Sequence, residues 1–388
     1  MKSWKTVELF CGIGGFRLAA DALKIETVWA NEIDDKAAFI YTKRFGDMNF
    51  HHGDIRECSQ DIPEHDILTA GFPCQPFSSA GKKLGICDPR GTLFSEIVEI
   101  LRQRKPSFFI LENVKRLLSM NSGIHFATIL YALTQAGYCV EWRVLNAMWF
   151  GLPQHRERII LIGRKSHNLQ SYFYSSQLYS SKQDENLNHI RKIQLECSQL
   201  HKIQEHRSKF QNWGLAWEDS VIDQHIEIPV CQANPNIRLH HLLEKNPASD
   251  FFFTKDTLER IKNSEEVNRY FNGVEILYNQ KGGARMGYSI FGIHGVSPTL
   301  TSTTSRHYER YKVGEEYRRL TNIEYARLQG FPDSHCDGIS PYHQYTLLGN
   351  AVPPNLIQWV MSRLINDQFL PVEIEQARSS KQLELSLL

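Results

Sequence analysis

Cys74 stands in the segment Gly71–Ser79 (GFPCQPFSS), directly after an apolar strand candidate, Asp66–Ala70, with Pro73 and Pro76 close on either side. The prolines stiffen the loop and bias it away from helix. A thiol held rigidly at the carboxyl end of a sheet strand is placed to act as a nucleophile once local charge favours the thiolate. A buried structural cysteine is the competing reading, and these residues alone leave both open. Glu112 ends a second apolar strand in the run FFILENV, where a carboxyl beside a buried site can keep its proton and donate it. A helix cap or a surface carboxylate would look the same. Arg156 and Arg158 in QHRER occupy alternate positions as another strand begins, so they are expected to face one side and to fix a phosphate, a base carbonyl or Glu112. A solvated strand end is the alternative.

A second set of residues suits a small-molecule cofactor. Glu8–Leu18 (ELFCGIGGFRL) reads strand, glycine turn, helix, with Gly12, Gly14 and Gly15 permitting a tight turn and close backbone approach to a ligand. The spacing is not the Gly-x-Gly-x-x-Gly of dinucleotide sites, which disfavours a nicotinamide-dependent oxidoreductase. Glu32 ends the next strand, where an acid can accept from ribose hydroxyls, and Asp54 in His-Gly-Asp-Ile could accept from an adenine amino group.

These residues need a scaffold, and the first 165 positions supply its pattern. Strand candidates at Thr6–Phe10, Thr27–Asn31, Asp66–Ala70, Phe108–Glu112, Val140–Leu145 and Arg158–Ile162 alternate with helix-patterned segments at Phe16–Leu23, Asp35–Phe45, Thr92–Arg104 and Ile124–Gly137. Nearly continuous apolar strands alternating with helices predict a doubly wound α/β domain with a largely parallel sheet covered on both faces. After Arg164 the sequence turns polar and loses period, so a second, smaller domain is expected over 166–339, with 340–388 returning to the first. Within it a helix is expected over Thr254–Phe271, a short strand near Tyr288–Ile293 and a helix in LTNIEYARLQGF; another helix is expected within Tyr345–Asn366. No internal repeat is evident.

At 388 residues the chain is long enough for about two domains. A net charge of +1 neither demands nor excludes nucleic acid, so any basic surface must be local. The N-terminus lacks the pattern of a secretory signal, and no stretch approaches a membrane span, which predicts a cytoplasmic protein. The eight cysteines form no Cys-x-x-Cys pair, and Cys197, His201 and His206 fit no standard zinc spacing, so no metal is expected.

ELFCGIGGF, NEID, HGDI, GFPCQPFS, GTLF, ENV, QHRERIILIG, RLTNIEYARLQGFPD and LLGNAVPPN resemble, in order, the motifs of the bacterial cytosine-5 DNA methyltransferases of restriction–modification systems. The resemblance implies the S-adenosylmethionine-dependent methyltransferase fold, with a mixed, mostly parallel sheet, and a separate target-recognition domain. It implies S-adenosylmethionine as cofactor, contacted by Phe10, Gly12, Gly14, Gly15, Glu32, Ile33, Asp54, Ile55, Pro73, Leu93 and Asn350. It implies Cys74 as the nucleophile on C6 of a flipped-out cytosine, Glu112 as the carboxyl at N3 and Arg158 as its partner, with Arg156 beside it. Arg327 and Gln329 fall in the block that steadies the recognition domain. Double-stranded DNA is the expected partner, bound by a monomer. DNA contacts are expected from Gln75, Ser78, Lys82, Arg285, Thr299 and Arg306, with Arg285 or Arg306 reading a base edge or filling the gap left by the flipped cytosine. Cys11 stands where the family commonly has Ala, and Ala351 where Ser is common. A tRNA cytosine-5 methyltransferase of the same fold is the runner-up, disfavoured by the long segment between QHRER and RLTNIEY. A non-catalytic homologue is disfavoured because Cys74, Glu112 and the glycine loop are all present.

Overall fold

The computed structural model describes residues 3–73, 93–165, 198–199, 209–225, 236–279, 289–302 and 309–366. Cys74, Gln75, Ser78, Lys82, Arg285 and Arg306 lie outside the described residues, as do Cys197, His201 and His206.

The N-terminal half alternates strand and helix as its pattern predicts. The elements are β1 (Lys5–Leu9), α1 (Gly15–Ala22), β2 (Glu26–Glu32), α2 (Asp35–Phe45), β3 (Phe50–His52), α3 (Ile55–Cys58), β4 (Ile67–Gly71), α4 (Leu93–Arg104), β5 (Phe108–Val114), α5 (Ile124–Gln135), β6 (Tyr138–Asn146) and β7 (Glu157–Lys165). They form a sheet in the order β3-β2-β1-β4-β5-β7-β6. The first five strands run parallel, and β7 lies antiparallel between β5 and β6. Strand order reverses between β1 and β4, so the carboxyl ends of these two strands mark the switch point where such sheets receive ligands. The chain folds this way because the central strands are apolar on both faces: β6 is buried along its whole length and β5 at five consecutive positions. On α4 the buried residues Phe94, Ile97, Val98, Ile100 and Leu101 follow helical spacing and turn one stripe toward the sheet.

The expected boundary at 165/166 falls inside one continuous sheet. Strands β8 (Ser198–Gln199), β9 (Trp213–Trp217) and β10 (Ser220–Gln224) extend it beyond β6, with Val140 opposite Ala216 and Arg143 opposite Trp213. The open edge of β6 needs a partner, and the aromatic run WGLAW supplies a fully buried one.

A second sheet runs β11 (Glu265–Phe271), β12 (Val274–Asn279), β13 (Ser289–Phe291), β14 (Arg310–Val313) and β15 (Glu316–Arg318). The helix expected over Thr254–Phe271 is therefore only α6 (Lys255–Lys262); the rest is β11, paired antiparallel with β12. Val267, Tyr270 and Phe271 favour a strand, and pairing with β12 satisfies backbone that a lone helix would leave to water. Helices α7 (Asn322–Gln329), α8 (Pro341–Asn350) and α9 (Pro354–Ile365) end the described chain. Pro353 and Pro354 separate the last two, since neither can donate the N–H a continuing helix requires. Leu356, Ile357, Val360, Met361 and Leu364 of α9 share an apolar cluster with Phe16, Ala19 and Ala20 of α1. Residues 320–336, expected within the smaller domain, share another cluster with Ile13 and Ile40 beside the glycine turn.

Candidate active site

The turn between β1 and α1 has an unusual backbone. Phe10, Gly12 and Gly14 all have positive φ (52°, 54° and 83°), and a Cβ on Gly12 would meet nothing within 4 Å. Open space thus lies over Gly12. Its N–H donates to the Glu32 carboxylate at 2.8 Å, and the N–H groups of Ile33 and Asp34 donate to the other oxygen at 2.8 and 2.9 Å. Three donors leave part of the carboxylate's acceptor capacity unused. Ile33 is 60% exposed, an apolar side chain left uncovered beside that carboxylate. Asp54 caps α3 and pairs with Arg56, which holds its carboxyl down at about 2. Ile55 is buried, Leu93 and Phe10 are half-buried, and Pro73 and Asn350 are exposed. A Cβ on Gly15 would collide with the Val352 carbonyl oxygen, so the segment after Asn350 lies against the turn.

The second cluster forms where β4 and β5 end. Gly71 pairs with Glu112, and a Cβ on Gly71 would sit 3.5 Å from a Glu112 carboxylate oxygen. Asn113 donates from Nδ2 to the Phe72 carbonyl at 2.9 Å, fixing the chain as it leaves β4 toward Cys74. Arg158 lies opposite Val114 in β7, diagonal to Glu112 on the same face, and its Nε reaches Glu112 Oε1 at 2.8 Å. Glu112 is buried and Arg158 is partly so. Burial pushes the Glu112 carboxyl up, while Arg158 and then Arg156 draw it back; the net shift is upward.

Arg156 is placed differently from the expectation. It is fully buried and donates from Nη1 to the Leu300 carbonyl at 3.0 Å and from Nη2 to those of Gly349 and Ala351 at 2.9 Å. It precedes the first residue of β7, where the alternation of a strand does not yet apply. Its charge remains near Glu112, but its donors hold backbone. Thr299 likewise turns inward, its hydroxyl donating to the His155 carbonyl at 2.6 Å. Gln154 donates to the Leu328 carbonyl and to Gln329 Oε1, both at 3.0 Å, and Gln329 donates onward to the Leu348 carbonyl. The structural parts of QHRER, SPTL and the α7 motif are thereby bound into one buried node.

A model of the family described as C-5 cytosine-specific DNA methylase matches residues 4–366. The chain belongs to this family. It is 52% identical to the type II methyltransferase M.HaeII of Haemophilus aegyptius, over 42% of this chain and 51% of that protein. It is 30% identical to M.DsaV of Dactylococcopsis salina, over 99% of this chain and 94% of that protein. Against M.HaeII and M.NgoBI the chain spans about half the length of the relative. In fold the chain is similar to the Dnmt2 methyltransferase of S. pombe, with a TM-score of 0.60 and 18% identity over 95% of this chain and all of that one. No helix among the described residues is long and apolar enough to cross a membrane, and no group of three or more His, Cys, Asp or Glu among them could hold a metal ion.

Sequence reasoning passed over three of these residues. Glu8, 1% exposed, is the lone acid in an apolar strand and accepts from the Tyr41 hydroxyl at 3.1 Å; that isolation was a readable signal. Asn113 was visible only as a neighbour of Glu112. His335 carried no local signal at all.

Proposed function

We propose that this protein transfers a methyl group from S-adenosylmethionine to C5 of a cytosine flipped out of a specific double-stranded DNA site, with Cys74 as nucleophile, as part of a restriction–modification system. The observation that carries the reading is the pairing of the buried Glu112 with Arg158 at 2.8 Å, set against Gly71, three residues before Cys74. S-Adenosylmethionine fits the crevice: the open face of Gly12 admits a ligand, Glu32 retains acceptor capacity for ribose, and Ile33 offers an apolar surface for a flat ring. When bound, the cofactor supplies an electrophilic methyl group. Cys74 adds through sulfur to C6 of the base, which makes C5 a nucleophile. Glu112, whose carboxyl burial pushes up, donates toward N3 as charge develops there, and Arg158 holds that carboxyl in place. Loss of the C5 proton and expulsion of Cys74 return the enzyme. The target atoms are inaccessible in a stacked duplex, so flipping is required, at a cost of a few kcal/mol. Arg156 serves this site by tying backbone around it, and Thr299 by fixing His155. We assign target recognition to the second sheet and its connections within 236–318, with Arg285 and Arg306 as candidate readers, alongside Gln75, Ser78 and Lys82 on the Cys74 loop. The protein is taken to act as a monomer.

Duplex DNA containing 5-fluorocytosine at the target should trap a denaturation-resistant adduct with the wild-type protein and cofactor, but not with Cys74→Ser. An adduct that survives Cys74→Ser would remove the nucleophile assignment. Transfer to tRNA and none to duplex DNA would replace the substrate.

A further inference from the structure

The glycine turn is held from two directions. Glu32 takes the Gly12 N–H on one side. On the other, His335 Nε2 lies 2.7 Å from the Ile13 carbonyl oxygen, a contact between residues 322 positions apart. We propose that His335 is a positioning residue for the cofactor turn: its ring donates to the Ile13 carbonyl and holds Gly12–Gly14 in the conformation that receives S-adenosylmethionine. The inference rests on the cofactor reading given above.

A carbonyl oxygen only accepts, so Nε2 carries the hydrogen and the ring presents one defined tautomer. His335 is 3% exposed, and its Nδ1 has no hydrogen-bond partner among the described residues. Burial lowers its affinity for a second proton, which keeps the ring neutral. The ring is wedged beside Phe331 at 4.7 Å and Phe45 at 6.2 Å between ring centres. Phe45 is also the side chain that a Cβ on Gly14 would strike. Ile13 itself is 2% exposed and packs in one cluster with Leu328, Phe331 and Cys336. The carbonyl and the side chain of Ile13 are therefore both gripped by the turn that follows α7. Glycines flank Ile13 on both sides and lose much backbone freedom on ordering, so an unheld turn would bear that loss when the ligand arrives.

The test compares His335→Phe, which keeps an aromatic ring without a donor, with His335→Gln, whose amide can reach the same oxygen. S-Adenosylmethionine affinity is measured by titration calorimetry, with duplex DNA affinity as a check on the fold. His335→Phe should bind the cofactor about 5- to 20-fold more weakly, the range expected for stranding one buried acceptor, with DNA affinity unchanged. His335→Gln should return to within about threefold of wild type, on the same hydrogen-bond reasoning. Equal affinity of His335→Phe and wild type would overturn the proposal, and so would equal weakening in both variants, which would make the ring a packing element. A wild-type protein that binds no S-adenosylmethionine would instead overturn the cofactor reading itself.

Discussion

Glu112 combines burial with an arginine partner, and the two act in opposite directions on its proton. Replacing it by Gln keeps the shape and a donor but removes the acid, so methyl transfer should fall by roughly two to four orders of magnitude. Cofactor affinity should stay near wild type, because Glu112 lies on β5 and not on the glycine turn. Single-turnover methylation with saturating S-adenosylmethionine measures this, and a rate within tenfold of wild type would make Glu112 a structural carboxylate. Glu8 gives a separate prediction, for stability. Burial pushes its carboxyl up to about 8, against the opposing hydrogen bond from Tyr41. Folded protein therefore keeps this proton where the unfolded chain releases it, between the ordinary glutamate range and about pH 8. The contribution to stability is full below that window and is lost as pH rises through it. Melting temperatures of Glu8→Gln should vary less between pH 5 and 9 than those of wild type; parallel curves would show that Glu8 does not titrate there. The strand-end position of Glu112 was legible, since it is a local signal of the run FFILENV. The partners of Glu8 and Arg156 were not legible, because they sit on other elements.

At the scale of elements, Arg156 joins three pieces of chain: the approach to β7, the segment Ser297–Leu300 and the end of α8 with the residue after it. Lysine in its place offers one ammonium where a planar fork served three carbonyls, so some acceptors stay buried and unpaired. Arg156→Lys should destabilise the fold by about 2–4 kcal/mol in chemical denaturation, with a smaller loss in cofactor affinity through the displaced Asn350 segment. A loss below about 1 kcal/mol would show that water or relaxation satisfies these carbonyls. Elements with a strong internal period, such as α2 and α4, were legible to within a residue. β11 was not: its charged start, Glu265 and Glu266, continues the polar pattern of the preceding helix, and the pairing with β12 that completes the strand is not written in that pattern.

For the whole molecule, recognition and catalysis must meet at one DNA site, and salt separates the two kinds of contact. If Arg285 or Arg306 reads a base edge, replacement by Ala should cost about 1–3 kcal/mol in binding and relax selectivity at one position. If it meets a phosphate, affinity should fall for all sequences alike, and the slope of binding against salt should flatten by about one counterion. Binding titrations on cognate and altered duplexes at several salt concentrations decide this; a uniform loss from both variants with the methylated site unchanged places the readers elsewhere in 236–318. The sequence by itself determined the order of strand, turn and helix around the site, the glycine turn, and the family motifs, because turn chemistry and hydrophobic period are properties of neighbouring residues. Only the tertiary structure decided that WGLAW extends the main sheet, that Arg156 grips three backbone carbonyls, and that His335 reaches Ile13. Each of these depends on which buried donor meets which acceptor once distant segments pack together, and spacing along the chain carries no trace of that pairing.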